Sequence, residues 1–248
     1  MYPDVTQMID FYRSPLGIHC QTVMAERVLE CWPDISSQSV GGFGYCVPQL
    51  SGVQHIADVT ACIMPAPMGI AAWPEGEANK AALAEEAALP LRDESIDRMV
   101  ISHALEHVDS PRHFLREIWR VTAAEGRVIL FVPNRLSSWA LSDKTPFGHG
   151  RPFSRGQLST LFRDSLFEVT SLSGVLYGLP GKSGISVGLS SAMEPWGRKL
   201  WPQMPGVWMV EARKRLSAPL SGGKTIRQRA YAAAGLSPSV QSSNSSSS

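Results

Sequence analysis

The chain has no apolar run near the ~20 residues that cross a bilayer, and no basic-then-apolar leader at its N-terminus. A transmembrane span and a secretory signal are therefore not expected, and a cytoplasmic location is. Four cysteines, Cys20, Cys31, Cys46 and Cys62, form no CxxC pair and have no histidine at metal-ligand spacing. Free thiols are expected, without a disulfide framework or a metal site. No internal repeat is visible. No aspartate or glutamate follows Glu211, although Arg213, Lys214, Arg215, Lys224, Arg227 and Arg229 do. Near-neutrality over 248 residues, a net +1, thus hides 17 basic against 22 acidic residues ahead of a basic, Ser-rich end.

What is present is an ordinary globular composition: 44% hydrophobic residues and a mean hydropathy of −0.05. The length suits one domain with appendages. The expected division is an N-terminal helical segment at 1–36, an α/β domain at 37–212 and a disordered tail at 213–248. A solvated tail and one that touches an anionic partner both remain open. Asp10 to Trp32 reads as helical, broken at Pro15–Leu16–Gly17 and ended by Pro33.

The most informative stretch runs from Glu85 to Asn134. Arg98–Ser102 and Arg127–Val132 are apolar runs without apolar/polar alternation, as expected of strands covered on both faces. Between them Phe114, Leu115, Ile118 and Val121 form one helical stripe. Asp109 or Ser110 can cap that helix and Pro111 suits its first position. Gly126 is expected to turn the chain back into the second strand. Strand, crossover helix and parallel strand make a right-handed βαβ unit. Ser39-Val40-Gly41-Gly42-Phe43-Gly44-Tyr45 supplies a glycine turn at the first strand. Gly52–Thr60 and Ala61–Met64 could supply the second strand, and Val207–Ala212 is a plausible last strand.

Ligands bind open α/β sheets outside the carboxyl ends of the strands, near the point where strand order reverses. Those ends are expected at Gly44–Tyr45, Met64–Pro65, Ser102–His103 and Pro133–Asn134. Gly42 and Gly44 would let backbone approach a ligand closely. The turn lacks the third glycine of GxGxxG, which counts against a nicotinamide-dependent oxidoreductase.

Leu89–Pro90, Ser95-Ile96-Asp97, His103-Ala104-Leu105-Glu106-His107-Val108, Leu115-Arg116-Glu117-Ile118, Gly126-Arg127 and Val132-Pro133-Asn134 stand in sequence. Together they resemble the second half of a class I S-adenosylmethionine-dependent methyltransferase domain, of the bacterial type 11 group. Phe153-Ser154, Gln157–Leu158, Leu161 and Leu166-Phe167-Glu168-Val169 extend the likeness, which covers roughly Val40 to Val169. The resemblance implies a Rossmann-like, doubly wound sheet, mostly parallel with an antiparallel last strand. It also implies S-adenosyl-L-methionine as cofactor and a methyl acceptor, small or macromolecular, that the sequence leaves unidentified. Cofactor contacts would fall at Gly42, Gly44, Tyr45, Met64, Glu85, Glu86, Ser102 and His103. Candidates near the acceptor are His103, His107, His149 and Arg151, and Tyr12 could reach the ligand from the N-terminal helix or simply pack.

Two departures from the family pattern stand out. Gly42 occupies the place of the acid before the first glycine, and Cys46 and Pro48 replace the second and third. The second strand ends in Ile63-Met64-Pro65, where the family carries a ribose-binding acid; Asp58 is an alternative. A protein of this fold that binds without catalysing is therefore the competing reading.

Overall fold

The computed structural model describes residues 2–181 and 184–215. Two helices come first, α1 (Val5–Arg13) and α2 (Pro15–Cys31), separated at Ser14. Asp4 caps α1 by accepting the Thr6 N–H at 2.8 Å, and the Ser14 hydroxyl accepts the Gly17 N–H to start α2. Strand β1 (Ser39–Gly44) follows, then a one-turn helix α3 (Val47–Leu50) and β2 (Val59–Pro65). Next come β3 (Ala81–Ala84), β4 (Ile96–Ser102), α4 (Pro111–Val121) and β5 (Thr122–Pro133). The described part closes with α5 (Arg155–Asp164), β6 (Phe167–Val175), α6 (Gly184–Leu200) and β7 (Val207–Lys214).

The seven strands form one sheet in the order β3-β2-β1-β4-β5-β7-β6. Pairings from β3 through β5 are parallel, and β7 runs antiparallel to both β5 and β6. Strand order therefore reverses between β1 and β4, where Gly44 lies beside Ser102. The expected Rossmann-like sheet with a reversed last strand is the observed one.

The non-alternating strands are explained by two separate cores. Val100, Ile129 and Phe131 face the layer of α1 and α2, where Met8, Tyr12, Met24 and Val28 are buried. Met99, Ile101, Val128 and Leu130 face Phe114, Leu115, Ile118 and Val121 of α4 with Leu158 and Phe162 of α5. Each side chain of that α4 stripe is buried, and burial stabilises the fold by roughly 1.5–3 kcal/mol apiece. A polar clamp fixes α4 to the segment ahead of β4. Arg120 donates to the Leu89 and Leu91 carbonyls at 3.1 and 3.0 Å, and Glu117 accepts the Leu89 N–H at 2.8 Å. Arg120 and Glu117 also pair with each other at 2.6 Å. Leu89 and Glu117, both within the resemblance, thus have a structural task, which Arg120 completes.

Several expectations need correction. One strand was not expected at all: Ala81–Ala84, in an alanine- and glutamate-rich segment, forms edge strand β3 by pairing with Cys62–Pro65. Ser110 is the N-cap of α4, yet its side chain makes no capping hydrogen bond. Gly126 lies within β5 rather than in a turn, since pairing with β4 already starts at Thr122 and then shifts register. Asp58 sits just before β2, at the amino end of that strand and away from the ligand edge. Arg213 and Lys214, assigned to the tail, belong to β7: Lys214 pairs with Phe167 and its ammonium reaches Thr122 O at 2.8 Å. The rest of the tail, Leu216–Ser248, lies outside the described residues.

Candidate functional site

Four strand ends meet at one edge of the sheet. Gly44 closes β1 against Ser102 of β4, and Met64 follows Ile63, the partner of Phe43. Gly44 has φ +92°, and a Cβ there would stand 2.1 Å from the Ser102 carbonyl oxygen. Its missing side chain is thus needed for β1 to pass β4. Gly42 lies inside β1, and a Cβ there would meet Leu50 at 2.7 Å and Cys46 at 2.8 Å, so its open side holds α3 rather than a ligand. Cys46, in the second glycine's place, turns its thiol to the Phe43 and Val100 carbonyls at 3.1 and 3.3 Å.

His103, the first residue past β4, has φ +53°, an uncommon conformation for a residue with a side chain. Its ring is buried, with Nε2 2.7 Å from the Tyr12 hydroxyl and Phe147 packed at 4.8 Å between centroids. Tyr12 stacks on Tyr45 at 5.6 Å. Burial, and then the neighbouring His107, hold His103 down to about 3, so it is uncharged at neutral pH. Its Nδ1 has no hydrogen-bond partner and stands 3.9 Å from Glu106 Oε1. Burial pushes the Glu106 carboxyl up to about 8. Gln49 donates to the Ser102 hydroxyl at 3.4 Å, and its Oε1 is also unpartnered.

The other candidates lie around this edge. Glu86 accepts the Tyr2 hydroxyl at 2.7 Å, and the Tyr2 ring packs on His107 at 5.1 Å. Glu85 makes a bridge to Ala88 just past β3. His149 and Arg151 part company: His149 lines a cleft of about 330 Å³ with Gln7, Asp143 and Lys144, and Arg151 lines a different one of about 700 Å³. Of the C-terminal tryptophans, Trp208 is core, Trp196 is exposed, and Trp201 lines an apolar cleft with Trp139 and Met204. Phe147, Gln49 and Glu106 were not singled out from sequence. Glu106, set between the two histidines of His103–His107, and Phe147, in the loop that carries His149 and Arg151, stood in segments that drew attention.

Whether this edge suits S-adenosylmethionine is tested by its polar atoms. Two buried polar atoms without partners, His103 Nδ1 and Gln49 Oε1, sit where three strand ends converge, and a polar ligand would satisfy them. The edge also carries uncharged His103 rather than a cation, as a sulfonium needs. The residues therefore fit, with one exception: β2 ends in Met64–Pro65, and no carboxylate stands there for the ribose.

Comparison with known proteins agrees with this geometry. Residues 40–130 match the family model described as "Methyltransferase domain". A Mycobacterium tuberculosis protein described as a probable S-adenosylmethionine-dependent methyltransferase is 32% identical over 108 residues, 43% of this chain and 38% of its own length. A Mycolicibacterium smegmatis relative with a similar description is 31% identical over 110 residues, 44% of this chain and 41% of its own. The chain thus spans about two fifths of the length of these relatives. In fold it is similar to a Thermotoga maritima SAM-dependent methyltransferase, with a TM-score of 0.61 at 15% identity over 85% of this chain and 96% of that one. An Archaeoglobus fulgidus SAM-dependent methyltransferase gives 0.56 at 17% identity, over 78% and 94%. Residues 40–130 are thus similar to a methyltransferase domain, and the fold is one shared with S-adenosylmethionine-dependent methyltransferases.

Proposed function

We propose that the protein transfers a methyl group from S-adenosylmethionine to an acceptor, with the cofactor held at the edge formed by Gly44, Tyr45, Gln49, Met64, Glu85, Glu86, Ser102 and His103. The observation that carries this reading is the pair of unpartnered buried polar atoms, His103 Nδ1 and Gln49 Oε1, at the strand-order reversal. When bound, the cofactor supplies a methyl group on a positively charged sulfur. The protein's own contribution to such a displacement is position and exclusion of water. Tyr12 serves both: it covers the edge from α1 and fixes the His103 ring through its hydroxyl. Four free thiols suit a reducing, cytoplasmic compartment.

A second reading has an observation of its own. Tyr12, Tyr45, Met64, Met68 and Phe147 are all buried in one core cluster, and no carboxylate stands at the end of β2. A methyltransferase-fold binding module, without catalysis, accommodates both facts. Titration calorimetry of the full chain with S-adenosylmethionine and S-adenosylhomocysteine separates the two. Micromolar binding of both, weakened by His103→Ala, is expected for the enzyme. Heat-silent mixing up to millimolar ligand, backed by an unchanged melting temperature, would leave the binding module standing alone.

A further inference from the structure

We propose that the cleft between α4 and α5 is a binding site for an organic anion, a molecule whose carboxylate or phosphate is held by Arg135 and Arg151. The cleft encloses about 700 Å³, the volume of a small organic molecule rather than a bare ion. Three arginines, Arg112, Arg135 and Arg151, line it against a single carboxylate, Asp109. Arg112 is already committed, with its guanidinium 2.7 Å from Asp164. Among the described residues no acidic side chain pairs with Arg135 or Arg151. Two unneutralised guanidiniums lining one cavity repel each other, and a shared anion relieves that repulsion with paired, charge-assisted hydrogen bonds.

The backbone holds both arginines in place. Arg135 follows the last bridge of the β5 extension, Asn134 against Phe153, and its N–H donates to the Phe153 carbonyl at 3.1 Å. The Arg151 N–H donates to the Glu106 carbonyl at 2.7 Å, and its guanidinium lies 5.3 Å over the Phe153 ring. The first turn of α4 adds to the positive field, because the Ser110 side chain leaves its amides uncapped. The α5 terminus adds none, since Ser154 and Gln157 close a capping box on it. Apolar walls at Pro111, Phe153 and Leu161 provide for the ligand's carbon skeleton.

The cleft shares the loop after β4 with His103, through the Arg151–Glu106 hydrogen bond. An anionic group held there belongs to the methyl acceptor; this role rests on the proposed methyltransferase reading, whereas the binding itself does not.

The test is calorimetric titration of the full chain, without cofactor, with phenyl phosphate, benzoate, inorganic phosphate and benzyl alcohol. Phenyl phosphate and benzoate should bind, phenyl phosphate at least about tenfold tighter than inorganic phosphate, and benzyl alcohol should not. Binding should weaken with salt. Arg135→Gln with Arg151→Gln should lower phenyl phosphate affinity about tenfold or more with an unchanged circular dichroism spectrum, and Arg135→Gln alone should lower it part of the way. Arg116→Gln, on the exposed face of α4, should change nothing. No binding of phenyl phosphate or benzoate, undiminished binding in the double variant, or inorganic phosphate binding equally well would each overturn the proposal. Because no cofactor is present, these outcomes are independent of whether S-adenosylmethionine binds.

Discussion

Glu106 and His103 make stability depend on pH in a way that can be worked out from their surroundings. Burial pushes the Glu106 carboxyl up from 4.5 to about 8, so the folded state holds a proton that the unfolded chain has released. Its contribution is fully present below about pH 4.5 and is lost as pH rises through 8. His103 is the opposite case, held down from 6.5 to about 3 by burial and by His107. Its contribution is fully present above about pH 6.5 and is lost as pH falls towards 3. The two slopes cancel between about pH 4.5 and 6.5, which gives a plateau. Above it only Glu106 acts, and each pH unit costs about 1.4 kcal/mol, or about 2 kcal/mol between pH 6.5 and 8. Urea denaturation at those two pH values measures the loss directly. Glu106→Gln, which keeps an uncharged side chain of the same shape, should lose about 2 kcal/mol less than the wild-type protein over the same interval. Equal losses in both proteins would refute a carboxyl buried in its neutral form.

Gly44→Ala places a Cβ about where the Ser102 carbonyl stands, at positive φ. It should destabilise the fold by at least about 2 kcal/mol, read as a lower urea midpoint at unchanged slope. A wild-type midpoint would show that β1 and β4 pass each other differently. Arg120→Lys keeps the charge but cannot reach the Leu89 and Leu91 carbonyls and Glu117 together. It should cost about 1–2 kcal/mol and raise hydrogen exchange at the Leu89 amide.

The parallel half of the sheet was legible because its strands carry two-sided burial in their composition. Val128 to Val132 is apolar throughout, and the structure sends alternate residues into different cores. The break between α1 and α2 was legible only to within a few residues: Pro15–Leu16–Gly17, read as the break, opens α2, and Ser14 is its cap. β3 was not: four residues of Ala-Ala-Leu-Ala favour a helix locally, and only the free edge of β2 makes them extended. At the site, the strand ends could be placed from sequence, since sheet topology alone brings them together. The cover over them could not, because Tyr12 meets His103 across 91 residues and Phe147 arrives from a loop with no periodic pattern. Arg135 drew no attention for the same reason: its cleft exists only once Asn134 is bridged to Phe153.

The altered glycine turn and the covered edge have one physical origin. Where three glycines would leave the backbone after β1 bare, this chain has Cys46, Val47 and Pro48, which start a helical turn at once. Gly42 is then required under Leu50, and the Cys46 thiol spends its hydrogen bond on the carbonyls of β1 and β4. Backbone amides that a glycine loop offers to a ligand are taken into α3, where the Gln49 and Leu50 N–H groups donate to the Cys46 carbonyl. Polar capacity at this edge consequently moves from backbone to side chains, to Gln49 and His103, each of which keeps one buried polar atom without a partner. In the proposed site, a ligand bonded to the His103 ring meets a side chain already held by the Tyr12 hydroxyl at 2.7 Å. On the proposed reading, removing that hydroxyl in Tyr12→Phe should change S-adenosylmethionine affinity in calorimetry, and an unchanged affinity would separate α1 from the site.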